Sequence, residues 1–142
     1  MAILQTQCSD FKLNLLKGLE NFNTGTSYTY KIALYNGNAS LDASTTIYTT
    51  TNEITGTGYT AGGKTLTPII PAYDNATNTA YVSFNNVTWS PAGFTTAGAL
   101  VYNSTTNAAV CVLNFGSTKT ATNTFTITFP AATSTTAVLR IS

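Results

Sequence analysis

The chain has 142 residues with 43% hydrophobic content, enough for one domain with a single buried core and too short for two ordinary ones. Only 8% of its residues are charged, against about 25% in typical soluble proteins, so hydroxyls and amides, with about thirty threonines, must wet a surface that ions usually wet. The net charge is +1 and six basic residues are scattered from Lys12 to Arg140, which excludes a phosphate-binding nucleic-acid site, while abundant aromatics exclude a disordered chain.

In chain order, residues 1–8 lack the basic start and long apolar stretch of a secretion signal, and no later run approaches the ~18 apolar residues of a membrane helix. Synthesis and assembly in a cytoplasm, with no membrane partner, are therefore expected. Residues 1–8 are expected as an N-terminal arm able to dock on a neighbour, and 9–142 as a single domain. A helix at about 9–20, capped by Ser9 or Asp10, carries Phe11, Leu15, Leu19 and Phe22 in one apolar stripe. Gly18 either interrupts that pattern or ends the helix.

From Tyr28 the period changes to two: Tyr28, Tyr30, Ile32 and Leu34 share one face, and Thr29, Lys31 and Ala33 the other. This predicts a strand with one buried face. The threonine tracts Ser44–Thr46 and Thr49–Thr51 read as strands and edges, and Gly56–Gly63 as a turn system needing several positive φ values. Further strands are predicted at Ala80–Phe84, Val87–Trp89, Ala97–Tyr102, Ala108–Phe115, Thr124–Phe129 and Ala137–Ile141, separated by Asn, Gly, Pro and Ser clusters. Thr124–Phe129 alternates threonine with apolar residues and stops at Pro130, whereas Ala108–Phe115 is apolar on both faces and predicts a central strand covered on both sides. The fold class is mainly β: an antiparallel β-sandwich or jelly-roll-like domain of about seven or eight strands with one short N-terminal helix.

Gly58-Tyr-Thr-Ala-Gly-Gly-Lys-Thr65 satisfies the phosphate-loop pattern, but the pattern works only between a buried parallel strand and a helix whose N-terminus faces the phosphates. Leu66-Thr-Pro-Ile-Ile-Pro71 follows instead, and its two prolines prevent a helix. There is no histidine, and the acids are Asp10, Glu20, Asp42, Glu53 and Asp74, so no nucleophile, base and orienter can be named. Asp42 with Glu53 as a carboxylate pair, and Asp74 as a calcium ligand, are both weak readings; Glu53 is expected to satisfy amides or a hydroxyl where the glycine loop begins. No enzyme, cofactor or metal is expected. Cys111, in the apolar run Ala108–Phe115, reads as a buried thiol before it reads as half of a disulfide, and the sequence leaves open whether Cys8 is free. Four Asn-x-Ser/Thr sequons, at Asn38, Asn75, Asn86 and Asn103, carry no weight in a chain so rich in both residue types. Trp89, Phe94, Tyr48 and Tyr59 are the candidates for contact with a partner or a sugar, with core packing as the alternative for each.

The segments Tyr30-Lys-Ile-Ala-Leu-Tyr35 and Glu53-Ile-Thr-Gly-Thr-Gly-Tyr-Thr-Ala-Gly-Gly63 resemble a family of small structural proteins of tailed bacteriophages, whose members carry a similar Lys-Ile/Leu-Ala-Leu-Tyr strand and a similar glycine loop. The likeness runs from the helix near Ser9 to the strand ending at Ile141. It implies a virion structural protein and transfers no functional residue, because the matching positions form the fold. A capsid decoration (cement) protein on the outer surface of the capsid is the first expectation, bound to the major capsid protein and self-associating as a small oligomer such as a trimer. A phage tail or fibre component with a receptor- or carbohydrate-binding surface is the alternative.

Overall fold

The computed structural model describes residues 2–142, which form ten strands and one helix. The elements are β1 (Thr6–Gln7), α1 (Ser9–Leu16), β2 (Tyr30–Tyr35), β3 (Lys64–Thr65), β4 (Ala72–Asp74), β5 (Thr79–Val82), β6 (Val87–Trp89), β7 (Phe94–Asn103), β8 (Ala108–Ala121), β9 (Phe125–Ile127) and β10 (Leu139–Ile141). A five-stranded sheet has the order β1-β8-β7-β2-β3, a three-stranded sheet β10-β5-β4, and β6 pairs with β9 alone. Every pairing between these strands is antiparallel, and the domain is β-sandwich-like. The strand count exceeds the expected seven or eight because β1 and β3 are two-residue edges and β4 has three residues, too short for periodicity to reveal.

The helix is shorter than expected. Gly18 sits at φ +73° and ends it through paired hydrogen bonds, Gly18 N–H to Leu15 O (3.2 Å) and Leu19 N–H to Asn14 O (2.9 Å). Leu19 therefore leaves the stripe and is 42% exposed, while Phe11 and Phe22 stay buried. Cys8, rather than Ser9 or Asp10, occupies the N-cap and gives no side-chain cap. Phe22 stacks on Tyr30 with centroids 4.3 Å apart and meets Phe11 and Phe84 edge-on, which ties the end of this segment to β2 and to the stretch just after β5. Each such fully buried side chain contributes about 1.5–3 kcal/mol.

Residues 1–8, expected as a dockable arm, instead join their own domain over the described part; Met1 lies outside it. Thr6 and Gln7 pair with Val112 and Cys111, Leu4 N–H reaches Leu41 O at 2.8 Å, and Ile3 is buried against Gly98. β2 also differs from its single-faced pattern: all its residues except Lys31 are buried, because β7, β3 and the glycine loop surround it. Residues 44–51 form turns and isolated bridges in place of strands. There Thr49 Oγ1 accepts the Thr51 amide and Asn52 takes φ +62°, local bonds that compete with a ladder. β8 is covered over Ala108–Val112, with α1 packed against it, but the predicted cover stops short of Phe115: Leu113 and Phe115 are half-buried and Asn114 is exposed, because β1 pairs only as far as Val112. Its second half, Gly116–Ala121, extends beyond the apolar run; after a bulge that follows Asn114, Lys119–Ala121 pair with Phe94–Thr96.

Candidate functional site

The glycine loop is organised by one carboxylate. Glu53 Oε1 accepts the Tyr48 hydroxyl at 2.6 Å, and Oε2 accepts the Tyr59 hydroxyl and the Gly62 amide, the latter at 2.8 Å. The Tyr59 oxygen in turn accepts Leu34 N–H from β2, and the Tyr102 hydroxyl donates to Gly62 O at 2.6 Å. Tyr48 and Tyr102 stack at 4.6 Å. Burial, reinforced by Glu53, pushes the Tyr48 and Tyr59 phenols far above their ordinary range, so both remain protonated donors. This is the structural role that the sequence assigns to Glu53, and Asp42 does not share it: Asp42 accepts the amide and hydroxyl of Ser44 in its own turn.

The phosphate-loop pattern adopts no phosphate-binding geometry. Gly58, Gly62 and Gly63 have φ of +82°, +95° and +78°, and Lys64–Thr65 is itself strand β3, paired with β2. A Cβ on Gly63 would lie 1.7 Å from Ile32 O, and one on Gly58 1.8 Å from Pro91 O, so these glycines serve close backbone packing. Lys64 Nζ donates to Thr88 O at 2.7 Å and lies 5.9 Å from the Trp89 ring centroid. Asp74 is likewise engaged locally, with Oδ1 accepting Ala76 N–H and Oδ2 the Ser134 hydroxyl.

Of the four aromatic candidates, two are corrected. Trp89 is 1% exposed and Phe94 6%, so neither presents a ring to a partner. They pack with each other at 6.2 Å and with Phe125 at 5.9 and 5.4 Å, under Tyr59. Tyr48 and Tyr59 are half-buried and spend their hydroxyls on Glu53. Cys8 and Cys111 are buried free thiols.

Two features escape the sequence reading. Glu20, 8% exposed, accepts the Tyr30 hydroxyl (2.9 Å) and Asn103 Nδ2 (3.0 Å) on Oε1, while Oε2 is buried without a partner. Burial, ahead of Asp10 repulsion and against those hydrogen bonds, raises its pKa. A lone acid outside any motif leaves no signal of this. The second feature is an exposed apolar face. A groove between α1 and the β10-β5-β4 sheet is lined by Phe11, Leu15, Pro71, Val82 and Ile141. Around it or beside it in sequence stand Leu16 (88% exposed), Ile70 and Tyr73 (72%). Ile69-Ile70 between two prolines was the available signal, since proline brackets keep such a pair out of an alternating strand. Among the described residues no helix is long and apolar enough to cross a membrane. No family model matches the chain, and the curated proteins and solved structures compared with it give no match either.

Proposed function

We propose that this chain is a non-enzymatic virion structural protein that decorates and cements the outer capsid lattice of a tailed bacteriophage, bound to the major capsid protein. The apolar groove lined by Phe11, Leu15, Pro71, Val82 and Ile141, with exposed Leu16, Ile70 and Tyr73 on the segments that supply its walls, carries this reading, because exposed apolar surface on a folded domain marks a protein contact. A domain with six basic and five acidic residues brings little charge repulsion to a crowded lattice. Modest contacts repeated over many copies then stabilise the shell through multivalency. The likeness of Tyr30–Tyr35 and Glu53–Gly63 to phage structural proteins supplies the virion setting. Self-association, with a trimer as the expected form, belongs to the same proposal.

The test is the copy number of this protein relative to the major capsid protein in purified virions, by quantitative mass spectrometry. A ratio near one supports lattice decoration. A small fraction of that ratio moves the protein to the tail or fibre, where a receptor- or carbohydrate-binding surface becomes the reading, and absence from virions overturns both. Replacing Leu16 and Ile70 by Asp is expected to leave the fold intact and strip the protein from capsids.

A further inference from the structure

The long strand β8 has an open edge beside a second groove. Its ladder partners are β7 on one side and the two-residue β1 on the other, and β1 reaches only Cys111 and Val112. Beyond Asn114, whose amide is closed off by Gln5 Oε1, no strand among the described residues pairs with that side of β8. β9 returns past this edge, bringing Phe125 to 6.1 Å from Phe115, yet it pairs only with β6. Between them lies a cleft of about 470 Å³, within the range of ligand sites, lined by Val112, Phe115, Lys119, Phe129 and Arg140 among others. The open stretch of β8 runs from Phe115 to Ala121, bulging against β7 between Asn114 and Lys119, where Gly116 takes φ +80°.

The charge of this cleft is one-sided. Lys119 and Arg140 line it and no carboxylate does. Arg140 donates one N–H to Thr135 O at 2.6 Å, which leaves most of its five donors for a ligand. Main-chain groups of an unpaired edge recognise another extended main chain, and a sugar does not use them.

We propose that this cleft is a docking site for an extended, acidic segment of another protein, added as a strand along β8 with its carboxylates placed at Lys119 and Arg140. The segment would alternate, with apolar side chains facing Phe115 and Phe129 and polar ones facing water. Strand addition supplies the affinity and the two cations supply the choice of partner. This site is separate from the apolar face at Leu16 and Ile70, so it stands whether or not that face binds a capsid.

The probe is a blocked peptide of alternating Val and Thr carrying two Asp, with a twin carrying two Lys, titrated by fluorescence anisotropy at low salt. The Asp peptide is expected to bind the full chain, the twin at least tenfold more weakly, and hydrogen exchange to slow at Ser117–Thr120 on binding. Lys119→Glu and Arg140→Glu are each expected to weaken binding about tenfold, and Leu16→Asp to leave it unchanged. Both cations are exposed, so the variants keep their folds, checked by thermal unfolding. Equal binding of the two peptides, no binding of the Asp peptide, or binding indifferent to both variants would overturn the proposal. So would an acidic oligosaccharide that binds where the peptide does not.

Discussion

Glu53 and Tyr59, six residues apart on either side of the loop's first glycines, are joined by a hydroxyl–carboxylate hydrogen bond that also fixes β2, because the same Tyr59 oxygen accepts Leu34 N–H at 2.9 Å. One acid thus closes the loop onto the central sheet. Glu53→Ala leaves two tyrosine hydroxyls and the Gly62 amide without their acceptor and is expected to cost about 2–4 kcal/mol. Glu53→Gln keeps part of that acceptor capacity and should cost about half as much. Urea denaturation of the three proteins checks the order; an unchanged midpoint for Glu53→Ala would remove the carboxylate from the account.

The glycines differ in what a methyl group would meet. Gly63→Ala drives a Cβ into Ile32 O from a φ of +78°, so the variant is expected to lose about 3 kcal/mol or more, or fail to fold. Gly116 also has positive φ, +80°, but open space around it, so Gly116→Ala should cost only the ~1–2 kcal/mol of the left-handed backbone. Thermal melts of the pair separate the steric effect from the conformational one.

Glu20 makes stability depend on pH in a defined direction. Burial raises its carboxyl pKa in the folded state, so the fold holds that proton more tightly than the unfolded chain does. The stability it contributes is full below the unfolded carboxyl value and is lost as pH rises through the raised folded value. Glu20→Gln keeps an acceptor for Tyr30 and removes the titration. It is therefore expected to be more stable than the parent at neutral and alkaline pH, with the gap widening above the ordinary carboxyl value of 4.5 and then levelling. Denaturation of both proteins across pH tests this, and a constant gap would refute it.

The two thiols should be inert in the folded state. Burial, ahead of the nearby Asp42 and Asp10, pushes Cys8 up to about 11, and burial raises Cys111 further. A thiol reagent at about pH 8 is expected to modify neither until denaturant is added, and then both. Reductant should leave the melting temperature unchanged, because both cysteines are free.

The β class, the strand positions after Ala80 and the alternation of Phe125, Ile127 and Phe129 were legible because period two and proline stops are local signals. Glu53 was legible for the same reason, since its tyrosine and glycine partners lie within nine residues of it. Trp89 and Phe94 were not, because an aromatic side chain looks alike in sequence whether it faces a core or a partner. The arm at residues 1–8 was misread because its partners, Leu41 and Val112, are far along the chain. Residues 44–51 were misread because β-propensity does not register the side-chain bonds that bend the backbone there.

Composition, periodicity and punctuation by themselves determined a charge-poor, mainly β domain with one short helix, and the absence of histidine together with the prolines after Lys64 spoke against the obvious catalytic and nucleotide-binding readings. These properties depend on residue type and on neighbours a few positions away. Only the tertiary structure decided that Glu20 meets Asn103 across 83 residues, that Trp89 is core, that apolar side chains at Leu16 and Ile70 face outward, and that β8 keeps an open edge between two cations. Each of those is a long-range pairing, or the lack of one, and it is settled by how separate segments compete for the same buried surface.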